Sequence, residues 1–458
     1  MAELYEKFLK EAEEKAFDSN HRKKLDFNIS KYDLAVVNGK KQYSNLETAK
    51  KRAAHIKHKV INELDKYLIE FELNFEKRGG KVIWAIDAED AVKEILFIMK
   101  RHHAKHVVKS KSMISEELEL NENLEKNKIE SLETDLGEFI VQIAGEKPYH
   151  LLTPAMHKSK EDIAELFHKK YGLNPQSKPE EITVFVRQLL REKFYTSDIG
   201  ITGGNFIIAD IGAVALTENE GNGVMSIAFP KVHIVVTGIE KVIPSIKDLS
   251  LFWPLLSTHG TGQKLTVYNS IISGPKQDEE SDGPESMYVI LLDNNRSEVL
   301  SHIKQRRAMS CIRCGACVNA CPIYRSIGGY VYNTTYSGPI GSVISPHLRG
   351  MDDYKHLSFA SSLCGRCTEV CPMKINLHEL LLYNRDLSVK QHYNKTSEKI
   401  LMFGMKKVLL SRKLMNTGAG VKNKLFTRFF AKTWGRRRSL PIFPPKNFNQ
   451  LWMEKKSN

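Results

Sequence analysis

Apolar positions along the chain switch between helical spacing and short β-like runs. Residues 1–65 are strongly charged and have a helical pattern. The helical pattern continues past residue 65, and Gly79-Gly80 stops it. Short apolar runs then predict strands, and an amphipathic helix with an Asp cap follows the first of them. The predicted strands lie at 81–86, 105–110, 207–216, 231–237 and 287–293. The predicted helices that follow strands lie at 87–103, 115–126 and 295–309.

Strands that alternate with helices at this spacing favour an α/β fold with a parallel sheet. A chain of 458 residues also exceeds one ordinary domain. The pattern therefore divides the chain into four parts, of which the third holds all the cysteines. These parts are an N-terminal helical segment (1–65), an α/β domain (66–295), an α-helical cysteine-rich domain (296–395) and a basic C-terminal region (396–458).

All seven cysteines lie between residues 311 and 371. They form two runs, Cys311-x2-Cys314-x2-Cys317-x3-Cys321-Pro and Cys364-x2-Cys367-x3-Cys371-Pro. The first run has the spacing of bacterial two-cluster ferredoxins, in which three cysteines bind one [4Fe–4S] cluster and the fourth ligates the other. The spacing therefore predicts two iron–sulfur clusters with crossed ligation.

The crossover rule assigns a ligand set to each cluster. The predicted ligands are Cys311, Cys314, Cys317 and Cys371 for cluster one, and Cys321, Cys364 and Cys367 for cluster two. A full second run would carry a cysteine at position 361, where this chain has Ser361. Two [4Fe–4S] clusters are expected, but the gap leaves alternatives for cluster two: a [3Fe–4S] cluster, or a [4Fe–4S] cluster whose fourth iron is held by Ser361, a solvent oxygen or a partner's group.

Two other uses of cysteine fit less well. A disulfide framework is typical of small secreted chains, and this chain is long, without a signal-peptide pattern at its N-terminus. A zinc site needs four ligands in two pairs, which the first run does not provide. Iron–sulfur ligation is the interpretation that the spacing favours.

A glycine-rich segment at 198–223 surrounds two apolar runs. It is neither GxGxxG nor a P-loop, and tight turns between strands are its simplest interpretation. Glu218 and Glu220 near its end are candidate polar ligands, because open α/β sheets place sites at the carboxyl ends of their strands. Among the histidines, His259 with its small neighbours is the best candidate for a base.

The net charge of +14 is concentrated at the C-terminus. Residues 396–458 hold fifteen Lys or Arg and two acids, which leaves +13 in that region. Such a region predicts a negatively charged partner, and docking to a protein or to a membrane is favoured over nucleic acid. Without an apolar run of eighteen residues we predict no transmembrane helix. We expect a cytoplasmic protein, with peripheral association at the inner face of the membrane as an alternative.

Five segments together resemble the lactate utilization protein B family, in which a LUD domain is fused to a two-cluster ferredoxin-type module and a basic C-terminal region. They span most of the chain. The matching segments are SKSMISEELELNENL (110–124), ETDLGEFIVQ (133–142), SDIGITGGNFIIADIGAVALTENEGNG (197–223), CIRCGACVNACP (311–322) and LCGRCTEVCP (363–372).

This resemblance implies a NagB/CoA-transferase-like fold for the LUD domain. It also implies an iron–sulfur subunit of a multi-component system that oxidises L-lactate to pyruvate. The sequence shows no dinucleotide fingerprint, so we expect this chain to relay electrons while partner subunits carry part or all of the lactate chemistry. The alternatives are an iron–sulfur redox sensor and a LUD-domain enzyme that acts alone.

Overall fold

Valine- and isoleucine-rich runs form the strands of a parallel sheet in the computed structural model. The structure describes residues 2–393, 396–416, 419–434 and 439–457. Within these residues the strands are β1 (Lys81–Ala85), β2 (His106–Lys109), β3 (Glu130–Glu133), β4 (Ile199–Gly203), β5 (Phe206–Ile208), β6 (Ala213–Glu218), β7 (Val232–Gly238), β8 (Val242–Ile243), β9 (Tyr268–Ile272) and β10 (Ser286–Leu292). The large sheet has the order β1-β10-β7-β4-β2-β3, and its neighbouring strands are all parallel.

Helices cover both faces of this sheet, which explains why β7 is buried along its whole length. The helices of the first 300 residues are α1 (Ala2–Phe17), α2 (Ser19–Gly39), α3 (Leu46–Asn62), α4 (Leu64–Glu76), α5 (Ala88–Arg101), α6 (Met113–Glu117), α7 (Leu120–Lys126), α8 (Leu136–Ala144), α9 (Lys160–Tyr171), α10 (Pro179–Thr196), α11 (Asn222–Ala228), α12 (Leu249–Thr261) and α13 (Arg296–Ser301). Ile234 packs with the α5 side of the sheet and Val235 with the α4 side, as strand alternation requires.

The α/β fold with a parallel sheet that the sequence predicts is confirmed, and so is a helical region after it. The Asp cap is confirmed as well, because the Asp87 carboxylate accepts the N–H of Asp90 at 2.9 Å at the start of α5. Helices of the later region are α14 (Ala316–Asn319), α15 (Pro322–Ile327), α16 (Gly338–Leu348), α17 (Met351–Phe359), α18 (Arg366–Val370) and α19 (Leu377–Lys390).

Three predicted elements are interrupted in the structure. The predicted strand 207–216 is a hairpin, since Gly212 at a φ of +58° turns the chain between β5 and β6 of a small second sheet, β8-β5-β6-β9. The predicted helix 115–126 breaks at Glu119, whose backbone is left-handed at a φ of 48°. The predicted helix 295–309 ends at Ser301, and a 3-10 turn at Gln305–Ser310 leads into the first cysteine.

One apolar core joins the N-terminal helices, α12 and the cysteine-rich region. It contains Leu25 of α2, Phe252 of α12, Tyr324 of α15 and Leu381 of α19. Residues 1–387 accordingly form one compact unit. The cysteines are therefore held by a core that is continuous with the α/β domain.

Residues 388–458 form a second unit. Its helices, besides the end of α19, are α20 (Thr396–Leu409), α21 (Arg412–Met415), α22 (Ala419–Trp434) and α23 (Phe448–Ser457). Every residue of α20 is exposed, including its large apolar side chains. In the described parts of the chain, we find no helix with the length and apolar character needed to cross a bilayer.

Candidate functional site

The two cysteine loops have the same backbone conformation fifty positions apart. Arg313 and Leu363, each just before a cysteine, have left-handed φ angles of 58° and 54°. Gly315 and Gly365, each just after that cysteine, have φ angles of 78° and 81° and open the short helices α14 and α18. This repeated turn wraps each loop so that the thiols converge on one side of it.

Four thiols surround one small cavity. Its walls include Cys311, Cys314, Cys317 and Cys371, together with apolar residues such as Met373. The structure thus brings together the three leading cysteines of the first run and the last cysteine of the second. This is the grouping that crossed ligation requires, while the ligation itself remains a prediction.

The chemistry of these thiols fits a metal cluster. Burial, followed by the proximity of other cysteines, raises the pKa of Cys314 and Cys317 well above the usual thiol value. Burial also raises the pKa of Cys371 to about 11. Thiolates packed this closely out of water need a positive partner, which the iron of a bound cluster would supply. Backbone N–H groups of Arg313 and Ile375 donate to the sulfurs of Cys311 and Cys371 at 3.4 and 3.5 Å.

The remaining three cysteines form a second group. Burial raises the pKa of Cys367 to about 11, and Cys321 and Cys364 add to this effect through their charge. The same mutual influence links Cys321 to Cys364. Cys364 is exposed, whereas Cys314, Cys317 and Cys371 are buried, so the second group lies nearer to solvent.

Ser361 occupies the position in the second loop that Cys311 occupies in the first. The N–H of Leu363 donates to the Ser361 hydroxyl oxygen at 3.1 Å, just as the N–H of Arg313 donates to the Cys311 sulfur. A hydroxyl therefore stands at the place of the missing eighth thiol.

The two arginines of the cysteine loops have different environments. Arg313 is buried, its guanidinium lies 4.7 Å from the centre of the Tyr336 ring, and its Nη2 donates to Glu240 at 3.4 Å. Arg366 is exposed and pairs with Glu369 at 2.9 Å. The arginine of the first loop is therefore buried and that of the second is not, while the second loop receives the buried Lys50, whose ammonium donates to the carbonyl of Glu369 at 3.3 Å.

A buried ion network fastens the cysteine-rich region to the α/β domain. Arg296 is fully buried and donates to both carboxylate oxygens of Glu117, at 2.9 and 2.8 Å, and to Glu240 at 2.8 Å. Lys57 donates to the backbone carbonyl of Glu240 at 2.6 Å. Nothing in the local pattern of the sequence marked these residues, because their partners lie 56 to 183 positions away.

A larger cavity of about 290 Å³ opens at the carboxyl edge of the parallel sheet. Residues that follow β2, β4 and β7 line it, as expected for a ligand site in an α/β sheet. Its walls also include the end of β6, the C-terminal turn of α12, and Arg313 and Tyr336 from the cysteine-rich region. The polar lining residues relevant to ligand binding are Ser110, Lys111, Asp135, Glu218, Glu220 and Lys241. Polar residues directly after buried strands were the signal that could have identified Ser110 and Lys241.

The sequence-predicted acids Glu218 and Glu220 both line this cavity. The Glu218 carboxylate accepts the N–H groups of Gly223 and Val224 at 2.7 and 2.9 Å. A Cβ at Gly223 would lie 3.0 Å from both of its oxygens, so a larger residue there would push this carboxylate aside. Burial raises the pKa of Glu218 and of Glu220, and Asp135 adds to the rise.

His259 does not line the cavity, although its neighbour Gly260 does. Its Nδ1–H donates to the carbonyl of Leu255 at 2.9 Å, and burial lowers its pKa to about 4. The structure therefore gives this candidate base no access to the sheet-edge cavity. A Cβ at Gly260 would lie 2.9 Å from the carbonyl oxygen of Cys314, which shows how closely α12 approaches the first cysteine loop.

Three glutamates form a cluster, and a buried lysine forms ion pairs with two of them. Glu116, Glu133 and Glu138 have oxygens within 4.8 Å of one another. The buried Lys109 ammonium pairs with Glu133 at 2.6 Å and with Glu116 at 3.4 Å. Burial, and next the charge of Glu133, raises the pKa of Glu138 well above its usual value. The Lys109 ammonium therefore balances part of the negative charge of this cluster.

The fold and its grouped cysteines define an iron–sulfur protein built on an α/β domain. Comparison with known families agrees with this class, since the family described as LUD domain matches residues 68–292 and the one described as 4Fe-4S dicluster domain matches residues 307–375. The chain is 42% identical over 411 residues to Lactate utilization protein B 2 of Bacillus mycoides (strain KBAB4), covering 90% of this chain and 86% of that one. The same figures hold for Lactate utilization protein B of Bacillus thuringiensis (strain Al Hakam). The chain belongs to the lactate utilization protein B family.

Among solved structures, a DUF162 family protein from Deinococcus radiodurans matches with a TM-score of 0.26 and 13% identity. The match covers 50% of this chain and 98% of that one. The fold description therefore stands on this chain's own sheet and on the LUD-domain match.

Proposed function

We propose that this chain is the iron–sulfur electron-transfer subunit of a multi-component system that oxidises L-lactate to pyruvate. The observation that carries the proposal is the convergence of Cys311, Cys314, Cys317 and Cys371 on one cavity beside a LUD domain. Cys321, Cys364 and Cys367 supply the second group. Family membership supports the link to lactate.

Electron counting explains why two clusters suit this reaction. Oxidation of lactate to pyruvate releases two electrons and two protons, and each bound cluster supplies a one-electron acceptor and donor. The chain's own residues set the environment of this chemistry. Burial of Cys314 and Cys317 excludes water, and the buried Arg313 guanidinium favours electron uptake at the first group.

The second unit supports docking to the other components. Large apolar side chains of α20 such as Ile400 and Phe403 are exposed, and Lys406 and Lys407 lie on the same helix. An exposed helix that is both apolar and basic suits an acidic protein face or an anionic membrane surface. We infer that this chain acts in the cytoplasm. Its partners are the other subunits of the complex and an electron acceptor at the inner face of the membrane, and nucleic acid is not a partner.

A LUD-domain enzyme that acts alone is the second candidate. The sheet-edge cavity carries acidic and basic side chains and shares Leu151 and Arg313 with the walls of the cysteine cavity. This adjacency would place a substrate of the LUD domain next to the first cluster. The relay proposal assigns oxidation to the complex, whereas this alternative assigns it to the single chain.

Anaerobic reconstitution followed by a partner-dependent assay tests the proposal. About eight irons per chain indicate two cubane clusters, and about seven indicate one cubane and one [3Fe–4S] cluster. EPR should then show reduction of the clusters by L-lactate only after the partner subunits are added. Robust lactate turnover with a dye acceptor by the isolated chain would instead establish the second candidate.

A further inference from the structure

We propose that the sheet-edge cavity binds a small 2-hydroxy carboxylate, with the carboxylate group against Lys241 and Arg313. The identity of the acid as L-lactate rests on the proposed function. The position of the site and the negative charge of its ligand rest on the cavity itself, which at about 290 Å³ is close to the lower limit, about 300 Å³, for small-molecule sites.

Polar atoms without a partner point to a missing ligand. Lys241 is 91% buried, lines the cavity, and makes no hydrogen bond or ion pair with any residue that the structure describes. Within the described part of the chain, the Nη1 of Arg313 and the hydroxyl of Ser110 are also buried without a hydrogen-bond partner. Buried polar groups are normally satisfied, so three donors around one cavity indicate an acceptor that binds there.

The nearby carboxylates are already engaged. One carboxylate oxygen of Glu240 accepts a hydrogen bond from Arg296 and the other accepts one from Arg313 Nη2. The Glu117 carboxylate accepts from Arg296. Four basic side chains, Lys57, Lys241, Arg296 and Arg313, thus surround two carboxylates and the Cys311 thiol. A ligand carboxylate that accepts from Lys241 and Arg313 Nη1 would satisfy both donors and form charge-assisted hydrogen bonds.

Acidic side chains of the same cavity favour a hydroxyl group on the ligand. Asp135, Glu218 and Glu220 line the cavity and disfavour a second anionic group. Their oxygens are acceptors for a hydroxyl donor. Lys111 also lines the cavity, but its ammonium donates to the carbonyl of Leu152 at 2.7 Å. A small ligand that carries a carboxylate and a hydroxyl therefore matches both the basic and the acidic residues of the cavity.

The site also adjoins the first cysteine group. Arg313 and Leu151 line both cavities, and the N–H of Arg313 donates to the Cys311 sulfur. A carboxylate on Arg313 therefore changes the electrostatic environment of a predicted cluster ligand. Binding should register in the EPR signal of cluster one without any turnover.

Binding to the full-length, anaerobically reconstituted protein tests the proposal. The probes are L-lactate, pyruvate and lactamide, which keeps the shape of lactate without its charge. Lys241→Met should weaken lactate binding by about tenfold or more, since one charge-assisted hydrogen bond is lost. The exposed Lys247→Met is the matched control and should bind as wild type does. Lactamide should not bind, and lactate should shift the EPR signal of cluster one in wild type and in the control only.

Iron content verifies that each variant is intact. Ser110→Ala is a second variant that changes the cavity less, and it should weaken lactate binding several-fold. Equal affinity of wild type, Lys241→Met and Ser110→Ala for lactate would overturn the proposal. So would the absence of saturable carboxylate binding in wild type. If Lys241→Met then changes only the potential of cluster one, the lysine balances the charge of the thiolates instead.

The two proposals fail in different ways. A wild-type chain that binds no carboxylate, yet is reduced by lactate through its partners, removes this site and leaves the electron-transfer role. A chain that binds lactate at this site, but whose clusters the complete system never reduces, removes the electron-transfer role and leaves the site.

Discussion

Ser361 stands in the second cysteine loop where Cys311 stands in the first, and both side chains accept the N–H group two residues ahead. The loops around them share left-handed residues at equivalent positions. This correspondence relates a hydroxyl to a thiol across fifty residues of sequence. It also indicates that a side chain at position 361 lies where a fourth ligand of the second cysteine group would be expected.

Ser361→Cys should therefore complete the second ligand set. Because the new sulfur would occupy the place that Cys311 has in the first loop, the EPR signal of cluster two should change while that of cluster one stays as in wild type. Iron should reach about eight per chain. Ser362→Cys, next to it and exposed, is the control and should leave both signals unaltered. Identical spectra for Ser361→Cys and wild type would contradict this placement.

Cys371→Ser should damage cluster one, although Cys371 belongs to the second run. The reason is that its side chain lines the cavity of Cys311, Cys314 and Cys317. Cys364→Ser is the matched change in the other group and should damage cluster two. EPR and iron analysis of both variants separate the two results. Loss of cluster two alone in Cys371→Ser would show that ligation is not crossed.

Arg296→Met should destabilise the protein by about 3–5 kcal/mol, because the carboxylates of Glu117 and Glu240 are left buried without their main partner. Anaerobic urea unfolding measures the change. Lys169→Met, in an exposed pair with Glu165, is the control and should cost about 1 kcal/mol or less. A similar small cost for Arg296→Met would mean that the network adds little to the attachment of the cysteine-rich region.

Glu138→Gln should stabilise the protein at neutral pH. Burial and Glu133 raise the pKa of Glu138 in the folded state above its ordinary value of 4.5. The unfolded chain thus ionises first as the pH rises, so the wild type loses stability from pH 4.5 upward until the folded carboxyl ionises as well. Glutamine, which cannot ionise, removes this loss.

Urea midpoints from pH 4 to pH 8 check this expectation. The advantage of Glu138→Gln should be absent near pH 4 and should grow above pH 4.5. Glu192→Gln, on the exposed side of α10, serves as the control. A constant difference across the whole pH range would show that the glutamine acts through packing.

Deletion of residues 396–458 should leave both clusters intact and weaken docking, because that region carries +13 and no cysteine. Flotation with anionic vesicles and pull-down of partner subunits across a salt series measure the effect. Binding of the full-length chain should fall with added salt, since charge attraction is screened within about 8 Å at physiological ionic strength. A DNA shift assay alongside, with a log–log salt slope of about 0.9 per phosphate neutralised, would support nucleic acid instead. Unchanged binding after deletion would remove the docking role.

Features that depend on local spacing could be predicted from the amino-acid sequence. The cysteine runs, the Asp87 cap and the parallel α/β sheet follow from patterns a few residues long, and these patterns act through nearby backbone geometry. Crossed grouping of Cys371 with the first run was also predictable, because the ferredoxin spacing carries that rule with it. Glu218 and Glu220 were identified as candidates for the same kind of reason, since they follow the predicted strand 207–216, although Glu218 is the last residue of β6 in the structure.

The set of polar side chains that are buried together could not be predicted, because it depends on how distant segments pack. Arg313 and Arg366 occupy similar positions in their loops, yet one is buried against Tyr336 and Glu240 and the other is exposed. Lys241 has no hydrogen-bond or ion-pair partner among the described residues, and distant parts of the chain form the cavity around it. Burial and pairing depend on contacts between residues far apart in sequence, and the periodicity of a single segment contains no information about them.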